Sequence, residues 1–179
     1  MTIATPEVNK SIRALLSPAL RAAGFQKVET RHNWRYLSDS IWALHLKAVG
    51  AYFSSVTGFP PMSLVAELGI YYHDFPGQSG LVVPRGSDGL LLPPITHCYT
   101  RTCLELQRTQ SALRPSTMAD TERRRTDVWW VQPDGSNLEE VVLDIKDSLF
   151  NRGIPFLEKP YNTREEQLSR SVAAMRHDV

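Results

Sequence analysis

Apolar residues first recur at helical spacing. Val8, Ile12, Leu15, Leu16, Ala19 and Leu20 fall on one side of a helix with 3.6 residues per turn. Thr5 suits the N-cap, Pro6 the first helical position, and Glu7 the positive end of the helix. Gly24 stops the run. The pattern predicts an N-terminal helix over residues 6–23. Pro18 removes a backbone donor inside it and predicts a kink or two short helices. Phe25 follows as the anchor onto a sheet.

From Val28 the period changes to two. Trp34 and Tyr36 share one face, and Arg31, Asn33 and Arg35 share the other. "LSDS" supplies turn residues, and residues 41–49 return as a second strand. On it Trp42, Leu44, Leu46 and Ala48 alternate with His45 and Lys47. After the turn "TGFPP", a third strand over 63–73 turns Leu64, Ala66, Leu68, Ile70 and Tyr72 inward. It leaves Glu67, Gly69, Tyr71 and His73 outward. "CYTRTCLEL" reads as a fourth strand. "TDVWWVQPDG" reads as the last, with Trp129 in the core and Trp130 partly exposed, or the reverse. Asn137 then caps a helix over 138–150 whose buried stripe is Val141, Val142, Ile145 and Leu149, with Gly153 after its end. "GIPFLEKP" reads as an extended link, and a polar amphipathic helix starts at Asn162. The expectation is a single α+β domain over residues 1–179. Its N-terminal helix covers 6–23, its sheet lies within 25–132 and its C-terminal helices lie within 137–179. The sheet is mainly antiparallel, of about five strands, with helices packed on one face.

Two stretches interrupt this pattern. Residues 76–97 are rich in Pro and Gly, and the expectation is a mobile loop whose "LVV" and "LLL" pieces pack partly onto the body. Residues 107–125 read as a helical or flexible excursion ending in "ERRR", and the acids on both sides of these arginines favour a solvated segment.

Composition narrows the function classes. A chain of 179 residues, 42% hydrophobic and 22% charged, belongs to the globular class and can bury a core without a disulfide or metal. A net charge of +1 leaves nucleic acid an unlikely partner. Cys98 and Cys103 form no CxxC pair, and on one strand their odd separation would turn them to opposite faces. The start "MTIATPEVNK" has no signal-peptide pattern, and no apolar run is long enough for a membrane span. The expected location is cytoplasmic, with no membrane partner.

Pleat alternation brings Arg31, Arg35, His45, Lys47, Glu67, Tyr71, His73, Arg101 and Glu105 to one face, with Gly69 leaving a dip between them. An antiparallel sheet commonly has one solvated face. Arg, His and Tyr are also residue types that concentrate binding energy at interfaces. The first functional expectation is therefore a non-enzymatic protein-interaction domain. Its partner-binding residues would be Arg31, Arg35, His45, Tyr71, His73 and Arg101. No catalytic residue, metal or cofactor is assigned, because no HExxH or Cys-His spacing is present and neither "GQSG" nor "GSDG" is a phosphate loop. The alternative is a small hydrolase or transferase acting on an anionic or phosphorylated substrate. Arg31, Arg35 and Arg101 would then hold the anion, and His45 or His73 would move protons.

The order of the pieces carries a resemblance. "LLSPALRAAGFQK", "WRY", "IWALHLKAVG", "ELGIYY", "HCYTRTCLELQ", "DVWW" and a late "GIPFLEK" together resemble the domain of unknown function 4304 family, from about Ile12 to Glu158. The resemblance implies the α+β fold and assigns no activity. Small α+β domains of this kind also serve as immunity proteins, and by that analogy the partner expected is another protein, with a toxin as the specific case.

Overall fold

The computed structural model describes residues 3–74, 82–107, 114 and 116–160. Two helices open the fold, α1 (Thr5–Leu15) and α2 (Ser17–Ala22), broken at Leu16 where Pro18 enters the first turn of α2. This is the predicted break. Ala4, not Thr5, occupies the N-cap position, with no side-chain capping bond. Strands β1 (Lys27–Glu29), β2 (His32–Tyr36), β3 (Ser40–Ala48), β4 (Leu64–Tyr72) and β5 (Thr100–Cys103) form a five-stranded antiparallel sheet in the order β1-β2-β3-β4-β5. Between β3 and β4 lies a short helix, α3 (Ala51–Thr57), where the sequence reading had none.

One sheet face carries the main core. Trp42, Leu44 and Leu46 of β3 and Leu64, Ala66, Leu68 and Ile70 of β4 are buried against Val8 and Ile12 of α1, Leu20 of α2, and Val141, Val142 and Ile145 of α5 (Leu138–Ser148). Past α5 the chain does not extend. A π-helical turn, Leu149–Gly153, runs into α6 (Ile154–Leu157). Gly153 therefore does not end the helix. It is where this turn meets the sheet: a Cβ there would come within 2.6 Å of Leu68 and 2.7 Å of Leu104. Asn137 makes no capping bond either. Its amide instead accepts from Gln132 N and donates to Trp130 O, tying the preceding turn together. The C-terminal helix expected from Asn162 lies outside the described residues.

The last predicted strand is not one. Residues 126–131 pair with the sheet only through the isolated Leu64–Trp129 bridge, and the fifth strand is instead the short β1. Both tryptophans are buried, Trp129 in the main core and Trp130 in a smaller cluster with Phe59, Met118 and Val128. Trp129 Nε1 donates to the buried Asp144 at 2.9 Å, which satisfies both polar groups inside the core.

The second sheet face is not open. Residues 82–98 cross it as a strap whose "LLL" piece packs partly onto the body as expected; residues 75–81 lie outside the described residues. Trp34, Ile41, Ala43 and Tyr71 pack there against Ile95 and Cys98, with Leu91 and Leu92 alongside. Three side chains fasten the strap: Trp34 Nε1 donates to Pro93 O (3.0 Å), Tyr36 Oη donates to Leu91 O (2.8 Å), and Lys27 pairs with Asp88 (2.7 Å). Gly69 offers no dip to solvent. A Cβ there would stand 2.6 Å from that of Cys98, so its bareness is what lets the strap lie flat.

The other end of this face is covered by α3 and by the segment leading to Trp130. Its pin is Arg114, whose buried guanidinium donates to the carbonyls of Glu122, Arg123, Arg125 and Val128 and stacks 5.1 Å from the Phe59 ring. The arginine-rich run is thus partly tied in. Arg125 forks onto Asp127 and lies over Phe53, while α4 (Asp120–Arg123) stays at the surface.

Candidate functional site

Between these two coverings a strip of the second face keeps its polar side chains. Strand pairing builds it as one row across all five strands: Glu29 opposite His32, His32 opposite His45, His45 opposite Glu67, and Glu67 opposite Cys103. Lys47 stands one pleat further along β3 on the same face.

The contacts within the row are close. The His32 and His45 rings lie 4.1 Å apart, and His45 Nδ1 is 3.9 Å from Glu67 Oε2. Lys47 Nζ forms a direct ion pair with the same oxygen, which is shielded from water. Burial pushes the His45 pKa down to about 4, assisted by His32, Lys47 and Arg31, and Glu67 offsets this only in part. Burial also lowers His32. At neutral pH both imidazoles are uncharged, and Lys47 and Glu67 neutralise each other. Beside them Trp34, Pro93, Pro94 and Ile95 wall a mainly apolar cavity of about 170 Å³.

Of the six residues predicted to meet a partner, four stay near this face. His45 sits in the row, half-buried. Arg101 lies opposite Gly69, exposed and outside any ion pair among the described residues. Tyr71 is on this face but is 9% exposed beneath the strap, so it does not point outward. His73 lies just past the end of β4, exposed, edge-on to Tyr71.

Arg31 and Arg35 are on the opposite face. Tyr36 pairs with Ile41 with four residues, 37–40, between them, so each even-numbered β2 residue faces an odd-numbered one on β3. That parity moves Trp34 and Tyr36 under the strap. It sends Asn33 and Arg35 to the helix side, where Asn33 is fully buried and Arg35 stacks on Trp42. Arg31 donates to Asn9 of α1 at 2.8 Å. Glu105, past the end of β5, is exposed near Arg152.

His32 and Cys103 are row members that the sequence reading did not single out as site residues. The signal for His32 was its place one full pleat from Trp34, legible once the β2–β3 parity is known. Neither cysteine is poised as a nucleophile: burial raises the Cys98 thiol to about 12, and burial together with Glu67 and Asp127 raises Cys103. Both are unpaired. Among the described residues no group of three or more His, Cys, Asp or Glu side chains is placed to hold a metal, and no helix is long and apolar enough to cross a membrane. Comparison of the chain with protein-family models, curated proteins and solved structures gives no match in any of the three.

Proposed function

We propose that the chain is a non-enzymatic protein-binding domain whose partner docks along the polar row of the second face, with Arg101 at its rim. The observation that carries this reading is the shape of the site. Its cavity of about 170 Å³ falls short of the roughly 300–1,000 Å³ typical of small-molecule sites, while the row beside it runs across the whole sheet. A partner surface can follow such a strip, and a partner side chain can fill the cavity. The alternative, an enzyme acting on a phosphorylated substrate, loses support here because Arg31 and Arg35 stand on the other face from His45. A toxin held in an immunity role is the specific form of the proposal, together with membership of the family that the motif order resembles. A reducing cytoplasm fits two unpaired cysteines.

The test is recovery of a partner from the native host on immobilised wild-type protein and on Arg101→Glu, followed by binding of the purified pair. Charge reversal at an exposed residue should leave thermal melting unchanged and weaken association with a partner that is acidic there. Equal recovery by both folded proteins would remove the second face from consideration.

A further inference from the structure

Among the described residues Arg35 has no ionic partner. Its guanidinium lies 4.8 Å from the centre of the Trp42 ring, and among the described residues no carboxylate or hydrogen-bond acceptor engages it. A Cβ at Gly24 would reach 3.5 Å from its Nε, so the turn after α2 passes close to the side chain. A stacked arginine keeps its N–H edge directed, and that edge matches a carboxylate in two parallel hydrogen bonds. Arg35 opens into a cavity of about 300 Å³ on the helix side of the sheet, at the β2–β3 hairpin. Trp42, Tyr72 and Leu157 give it apolar and aromatic walls. Asp39 and Glu158, both exposed, bring two carboxylates to the same cavity without closing on Arg35.

That charge layout selects among ligands. A simple anion on Arg35 would also face Asp39 and Glu158, and a simple cation between the acids would face Arg35. A small molecule carrying both charges satisfies all three groups, with its apolar part over Trp42. We propose that this cavity binds a free α-amino acid or a zwitterion of the same layout, its carboxylate on Arg35 and its ammonium toward Asp39 and Glu158. The site lies on the opposite face from the polar row, so it stands or falls independently of the partner-binding reading.

The experiment is calorimetric titration of the full chain with L-alanine, L-leucine, L-phenylalanine and L-glutamine. The N-acetyl derivative and the amide of the best binder follow, which carry only the negative or only the positive charge. The expected result is binding of at least one amino acid, with both derivatives weaker by about tenfold or more. Arg35→Gln should abolish the signal, and Glu158→Gln, at an exposed position, should weaken it with melting unchanged. If Arg35→Gln does not fold, Glu158→Gln carries the test alone. Equal affinity for the N-acetyl derivative would mean a plain anion site, and equal affinity for the amide a plain cation site. Either result, absence of binding up to about 10 mM, or indifference of the best binder to Glu158→Gln would overturn the proposal.

Discussion

The two faces of this sheet are buried by different physics. On the helix side, α1, α2 and α5 present apolar stripes to an apolar sheet face, and one continuous core results. On the second side, coil does most of the covering, and coil brings backbone polar groups with it. Each covering segment is therefore held by side chains that meet those groups. Trp34 and Tyr36 donate to strap carbonyls, and Arg114 donates to four carbonyls of the segment before Trp130. The apolar contacts there split into two small clusters with the polar row between them. A helix satisfies its own backbone and can cover a core by pattern alone, whereas a strap needs specific donors. The place where neither covering reaches is where polar side chains remain accessible.

The contrast can be tested from its strongest side downward. Trp42→Ala, in the continuous core, should cost about 3–5 kcal/mol in denaturant unfolding, as for other buried aromatics. A loss below about 1 kcal/mol would mean that the helix side is not the stabilising one. Arg114→Met keeps an apolar stem against Phe59 but strands four carbonyls, and should cost about 2–3 kcal/mol. Hydrogen exchange should then show residues 116–130 opening ahead of α1 and α5. Uniform loss of protection across both faces would erase the distinction between pinned coil and self-satisfied helix.

The smallest effect concerns the polar row. His45 has its folded-state pKa lowered from the ordinary value near 6.5 to about 4. Between those values the unfolded chain binds more protons at this site than the folded one. The His45 contribution is thus fully present above about pH 6.5 and is lost progressively as pH falls toward 4. His32, Lys47, Glu67 and Arg31 act on the same group, so the measurement is a difference. Wild type should lose more stability than His45→Gln between pH 7.5 and pH 5. Parallel pH profiles would show that His45 is solvated as an ordinary histidine.

Much of the helix side was legible in advance. Periodicity alone located α1, its break at Pro18, the β3 and β4 core positions and the buried stripe of α5, because each pattern is internal to one element. Two features of the second face are not readable from strand alternation, the parity across "LSDS" and the path of residues 82–98 over the sheet. Strand alternation groups residues within a strand, but which group meets which group depends on how many residues the turn holds. A hint was available in the strand itself. Ile41 and Ala43 stand on the face of His45 and Lys47, so that face was never wholly polar, and "LLLPPI" needed something apolar to cover.

What the sequence determined by itself was the fold class, the main core and the residue types available for a site, since propensity and periodicity are local properties. Packing between elements decided which of these residues meet. It separated Arg31 and Arg35 from His45, put His32 beside His45, turned Gly69 from a dip into a seat for the strap, and set Arg35 in a cavity with two acids, without an ionic partner among the described residues. Register, loop path and helix docking all depend on contacts between residues far apart in the chain, and a single strand's pattern carries no information about its neighbour's offset.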